Sequence, residues 1–148
     1  MRHLIILIIL IGWISFSCQN QAKTSSSKEE KIKIELNDLN DEHPNKTQML
    51  WLVNNYEEAF IADDNNGKTL EHDDLIQKAY FFHSKMSQVS VILIFCKNQP
   101  DALTVGETNF SSNEENQKYG VNGAVLFVVK GKDTEKVNQV LSWFSGEE

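Results

Sequence analysis

Cysteine is scarce in this chain: its 148 residues hold two, Cys18 and Cys96, too few for a framework of several disulfides. The familiar catalytic and nucleotide-binding signatures are missing as well. There is no GxSxG, no HExxH, no GxGxxG and no Walker loop, so no motif marks an active site or a resident cofactor. His43, His72 and His83 do not stand at metal-ligand spacing to one another or to a cysteine. Positive charge is short, with 14 Lys and Arg against 21 Asp and Glu for a net charge of −7. Such an acidic chain argues against nucleic acid as a partner, and against docking on anionic lipid by charge alone. The apolar stretch Leu4 to Phe16 is thirteen residues long. A bilayer-spanning helix takes roughly 20.

That apolar stretch is nevertheless the most informative part of the sequence. Arg2 and His3 form a short basic start, Leu4 to Ile11 is an unbroken aliphatic run, and Ser15 and Ser17 place small side chains just before Cys18. Basic start, short apolar core and small residues before a cut describe a secretory signal peptide, residues 1–17, and put the new N-terminus at Cys18. A cysteine at that position resembles the lipid-acceptor residue of bacterial lipoproteins. The family favours Leu where Ser15 stands and a small residue where Phe16 stands. The resemblance covers the leader only. It implies a diacylglycerol in thioether linkage on Cys18, cleavage before that residue and acylation, as by palmitate, of the freed amine. The chain is then held to a membrane of the cell envelope through the lipid on Cys18. Gln19, rather than Asp, follows the cysteine, which in that family points to the outer membrane.

Removal of residues 1–17 leaves 131 residues, enough for one domain with one core. Arg2 leaves with the leader, so the processed chain carries −8. Gln19 to Glu30 (QNQAKTSSSKEE) is polar and Ser-rich without apolar periodicity, and residues 18–30 read as a lipid-anchored flexible tether. Residues 31–148 are then a single domain.

Within that domain Ile32, Ile34 and Leu36 alternate with polar residues, predicting a half-buried edge strand. Met49, Leu52, Val53, Tyr56, Ala59 and Phe60 follow helical spacing, and Leu75, Ile76, Ala79, Tyr80 and Phe82 resume it, with Met86 extending that face. Val89 to Phe95 (VSVILIF) and Ala124 to Val129 (AVLFVV) are short, near-continuous apolar runs that fit strands covered on both faces by helices. An unpaired charge at Ile92, inside the first run, is expected to be among the most damaging changes. Ser112 and Glu115 stand at capping-box spacing, and the short helix they open would end at Gly120. Strand, helix and strand then make a right-handed βαβ unit. Asp133 is a candidate N-cap for a last helix with Val137, Val140, Leu141 and Phe144 on one face. The expected architecture is a small α/β or α+β domain, with a short sheet whose two apolar strands are covered by amphipathic helices.

Three stretches carry candidate chemistry. Counting from Asp63, the segment to Asp74 sets Asp63, Asn65, Gly67, Thr69, Glu71 and Asp74 at the ligand positions of an EF-hand calcium loop, with helical patterns on both sides. Gly67 at the fifth position supplies no side chain, Lys68 stands where the turn glycine belongs, and Asp74 is shorter than the usual bidentate Glu. The reading preferred here is a solvated turn built on Asn66-Gly67, with Asp63, Asn65, Thr69, Glu71 and Asp74 as the ligands of a weak site if calcium binds. Cys96 follows an apolar run and reads as a buried thiol; a nucleophilic or redox role would want a neighbouring His or cation. If the sheet is parallel, a crevice belongs at the strand ends, Cys96 to Asp101 and Lys130 to Asp133. The Lys130-Gly131-Lys132 run ahead of the last helix reads as a turn, lacking the glycine-rich cradle of an anion site. Together these features favour a tethered, non-catalytic interaction domain that binds a protein partner in the envelope or at the cell surface. The alternatives are a thiol-dependent enzyme using Cys96 and a weak calcium-binding domain.

The anchor is tested by Cys18→Ser, which is expected to block acylation and move the protein from the membrane to the soluble fraction with an unchanged melting temperature.

Overall fold

The computed structural model describes residues 33–63, 70–110 and 116–147. Cys18, the tether and the Ser112/Glu115 capping box lie outside them. The described chain is a small α+β domain with helices α1 (Lys46–Asn55), α2 (Gln99–Phe110) and α3 (Thr134–Ser145). Its strands are β1 (Phe60–Ala62), β2 (Ile76–Ser84), β3 (Ser90–Cys96), β4 (Gln117–Asn122) and β5 (Val125–Lys130). They form one sheet in the order β1-β2-β3-β5-β4, and every neighbouring pair is antiparallel. None of the described helices is long and apolar enough to cross a membrane.

The two apolar runs become the two central strands. β3 and β5 pair from Ser90 opposite Lys130 to Phe95 opposite Val125. Their side chains alternate between two cores. Val91, Leu93, Phe95, Val125, Phe127 and Val129 face one layer, with Met49, Leu52 and Val53 of α1 and Val137, Val140 and Phe144 of α3. Ile94, Cys96, Leu126 and Val128 face the other, with Ala102, Val105 and Phe110 of α2. Helices on both faces explain why neither strand shows polar alternation. Val91, Leu93, Ile94 and Phe95 are completely buried, whereas Ile92 is only partly so, packed against the α2 layer.

The direction of the strands corrects the sequence-based topology. β3 and β5 run antiparallel, so the two apolar runs are not the two strands of one βαβ unit; α2 instead joins β3 to β4, which are parallel to each other with β5 between them. The crossover helix is α2, which starts well before Ser112. Asn98 caps it by accepting the Asp101 N–H at 2.9 Å, and Pro100 sits in the first turn, where a missing N–H costs nothing. Gly120, expected to end a helix, lies inside β4 opposite Phe127. A Cβ there would stand 2.6 Å from the Phe127 ring, so the glycine lets that ring lie across the strand. The hairpin itself turns on Gly123 at φ +58. The side chain of Asn45 fills the space where a Cβ would go and accepts the Ala124 N–H at 3.0 Å.

β2 overturns a helical reading, and the reason is local. Its register slips between Ile76 and Lys78, a β-bulge. The extra residue puts Ile76 and Ala79, three apart, on the α2 face, while Tyr80 and Phe82 turn to the opposite core. A bulged strand thus mimics helical spacing. Phe60, expected at the end of the first helix, is instead the first residue of β1. The predicted edge strand near Ile34 keeps its period-two burial, with Ile34 and Leu36 buried and Lys33 and Glu35 exposed, but pairs with no strand. The Asn54 amide takes the strand's place: its Oδ1 accepts the Ile34 N–H at 2.7 Å and its Nδ2 donates to the Ile34 carbonyl at 2.9 Å. The last helix forms as the sequence predicts. Asp133 Oδ1 accepts from the Glu135 and Lys136 N–H groups, and Gly146 closes the helix at φ +77.

Leu93→Ala, which empties a fully buried position, is expected to cost about 2–5 kcal/mol in chemical denaturation. Leu103→Ala, on the exposed side of α2, is expected to stay within about 0.5 kcal/mol.

Candidate functional site

The acidic loop is flanked differently from what its spacing suggested. It leaves β1 and enters a short 3₁₀ turn, Asp73–Leu75, ahead of β2, so no helix–loop–helix frame holds it. Asn65 and Thr69 lie outside the described residues. Asp63 is tied to the sheet by its N–H, which donates to the Phe81 carbonyl at 2.7 Å, and its carboxylate lies 4.0 Å from His83 Nδ1. At the other end the Asn109 amide holds Glu71 by both backbone groups, at 2.8 and 3.1 Å. Asp74 is exposed in the 3₁₀ turn. Among the described residues no group of three or more His, Cys, Asp or Glu side chains could hold a metal.

Cys96 lies at the inner end of β3, completely buried against α2. Burial, with the Asp101 charge as the lesser contribution, pushes its thiol up to about 11. That is the environment of a packed thiol, not of an activated one. His43 touches its backbone rather than its sulfur. His43 Nδ1 accepts the Asn45 N–H at 3.2 Å, which puts the proton on Nε2, and Nε2 donates to the Cys96 carbonyl at 2.9 Å. The imidazole also stands edge-on to Phe95, with ring centroids 5.1 Å apart. His43 therefore secures the loop before α1 to the end of β3. Because β3 and β5 run in opposite directions, Cys96 and Lys130 emerge at opposite ends of the sheet, and the rim expected between their loops does not form.

The opening that does form lies on the outer side of the other layer, between α1 and α3. Trp51 and Trp143 stack there with centroids 5.8 Å apart and planes inclined by 19°. Trp51 remains 56% exposed, whereas Trp143 is half-buried, its Nε1–H donating to the Leu52 carbonyl at 3.1 Å. One ring is thus a fixed platform and the other a lid on it. Beside them an open groove of about 690 Å³ runs past Pro44, Thr47, Gln48 and Glu147. A second hollow of about 300 Å³, lined by Tyr56, Glu57 and Gln139, shares Trp143 and Glu147 with the first. Tyr56 stands edge-on to Trp143 and stacks on Phe60, which carries the aromatic lining down into the core.

Next to Glu57 in the chain, Glu58 is held by several donors. Glu58 accepts a short hydrogen bond from the Ser84 hydroxyl and one from the Ser87 N–H at 3.1 Å, with Lys136 Nζ 3.9 Å away. Burial alone would raise its pKa, but those donors and the Lys136 charge outweigh it and hold the carboxyl below its ordinary range. The arrangement pins the turn between β2 and β3 to the start of β1. Ser84 is buried and engaged with Glu58, so the cluster reads as a structural clasp.

Neither tryptophan follows from apolar periodicity. Trp51 stands off the stripe formed by Met49, Leu52 and Val53, and Trp143 precedes the buried Phe144. The available signal was compositional: of three tryptophans in the chain, Trp13 lies outside the described residues and the other two meet in this groove. In comparison with known families, curated proteins and solved structures, the chain matches none.

The Cys96 thiol is expected to resist an aromatic disulfide reagent in the folded protein and to react fully in denaturant. Its raised pKa also fixes a sign. The folded state keeps the proton to about 11 while an unfolded thiol releases it near 9, so this contribution to stability is complete below about pH 9 and is lost as pH rises toward 11. Denaturant midpoints from pH 8 to 11 check this against Cys96→Ala, whose decline is expected to be shallower.

Proposed function

We propose that the chain is a lipid-anchored, non-catalytic binding domain of the bacterial cell envelope, and that the groove between α1 and α3 is its contact surface. The observation that carries this reading is the Trp51–Trp143 pair. A tryptophan more than half exposed, stacked on a second one held by a backbone hydrogen bond, is a large apolar surface kept ready in one geometry. Rigid aromatic anchors are what interfaces concentrate their binding energy on, because they bury much area at low entropic cost. Polar groups at the margin, Thr47, Gln48 and Gln139, suit a hydrogen-bonding rim. The signal-like leader, Cys18 and the polar segment after it support the address: a domain on a tether of about a dozen residues, with reach of about 20 Å, meets its partner close to the membrane. The buried Cys96, with its raised pKa, favours binding over thiol chemistry.

A photo-crosslinking residue placed at Thr47, in the membrane-attached protein, is expected to give a discrete adduct. The same residue at Leu103, on the opposite layer, is expected to give none, and Trp51→Ala is expected to weaken the Thr47 adduct severalfold. Equal adducts from both positions would refute the groove as the contact surface.

A further inference from the structure

We infer that the α1–α3 groove receives a second copy of this chain, whose β2–β3 turn lays Met86 against Trp51 and Trp143. This rests on the reading of the groove as the contact surface and adds what fills it. Met86 is 83% exposed, the most of any large apolar side chain among the described residues; Trp51, in the groove, follows at 56%. A lone exposed methionine is ordinary on a protein surface. This one stands on a fixed support. The Ser84 N–H closes the turn on the Val89 carbonyl at 2.9 Å, and Glu58 accepts the Ser87 N–H at 3.1 Å and the Ser84 hydroxyl. Gln88 takes φ +55 to turn the chain back, and Val89 is completely buried beyond it. The Glu58 clasp therefore holds out one apolar side chain on a rigid tip, so docking it costs little of the turn's freedom.

Tip and groove match in chemistry and in placement. A methionine side chain adapts to irregular apolar gaps, and its sulfur makes favourable contacts with aromatic rings. The groove supplies two indoles, one more than half exposed and the other fixed by its bond to the Leu52 carbonyl. Lys85 beside Met86 and Glu147 at the groove margin are both exposed, so docking sets opposite charges together although each copy is acidic overall. Placement decides which molecule does the filling. The turn leads into β3 at Ser90, whereas the groove's Pro44 adjoins His43, which is bonded to the Cys96 carbonyl at the other end of that strand. The strand between them spans about 20 Å, so a molecule does not reach its own groove. The contact is therefore head-to-tail: each copy lends Met86 to the next, and a row of copies keeps one tip and one groove unused at its ends.

Sedimentation of the full chain in mild detergent, with Trp51→Ala and Met86→Gln as variants, reads this directly. The parent is expected to form dimers and longer species as its concentration rises. Each variant alone is expected to self-associate more weakly by about tenfold or more, with an unaltered thermal melt, since both side chains are exposed. An equal mixture of the two variants is expected to regain association and to stop at a dimer of one each, because one still has the tip and the other still has the groove. A parent that stays monomeric, a variant that associates as the parent does, or a mixture that remains monomeric would overturn the inference. The photo-crosslinking residue at Thr47 separates the second copy from the contact surface itself. It is expected to join two copies of the chain and to fail in Met86→Gln. A Thr47 adduct with a different protein, undiminished by Met86→Gln, refutes the second copy and keeps the contact surface. Absence of any adduct removes both.

Discussion

The structure depends on the pairing of β3 with β5. Six consecutive partners, from Ser90–Lys130 to Phe95–Val125, join two strands whose interior positions are almost wholly apolar. Each strand needs cover on two sides, because successive side chains point to opposite faces. That requirement fixes the layers. α1 and α3 cover Leu93 and Phe127, α2 covers Ile94 and Leu126, and the remaining strands extend the sheet on either side. The helices are therefore lids on a hydrophobic ribbon, and the groove between α1 and α3 exists because two lids share one face.

What could be read from the amino acids follows the same division. The two central strands and α3 stand out, since continuous apolar runs and an Asp-capped, Gly-terminated helical pattern are strong local signals. β2 is misleading because its bulge shifts Ile76 relative to Ala79 and produces a helix-like spacing from an extended chain. β4 is almost invisible: Gly120 seems a helix terminator until Phe127 is seen lying across it, a contact between strands that no single segment reveals. Strand direction is equally a global property, and apolar runs suited to a parallel sheet serve an antiparallel one when both faces are covered. The groove escapes notice for another reason. It is made from Trp51 and Trp143, ninety-two positions apart and both off the buried stripes, so only the approach of α1 to α3 brings them together.

Asparagine side chains recur wherever the chain must be fastened without a strand. Asn54 grips Ile34, Asn109 grips Glu71, Asn45 holds Ala124 and Asn122 holds the Phe144 carbonyl. An amide side chain carries both a donor and an acceptor, the same pair that a backbone peptide offers. The N-terminal segment is thereby attached to α1 by two hydrogen bonds and by the burial of Ile34 and Leu36, close to where α1 ends. A bifunctional clasp of this kind tolerates neither Asp nor Leu in place of Asn, since each removes a donor, an acceptor or both.

The strand order also governs how the domain behaves toward its own copies. SVILIFC and VLFVVK are β-branched, apolar, free of proline and nearly uncharged, the composition that drives chains to stack into intermolecular sheets. In the order β1-β2-β3-β5-β4 both lie inside, so every edge of theirs is already taken. The outer positions belong to β1, only three residues long, and to β4, which carries Gln117, Lys118 and Asn122. Short and polar outer strands offer a poor template for another chain. The polar margins of the sheet thus keep self-association through its edges in check and leave the groove on the helical face uncovered by the sheet.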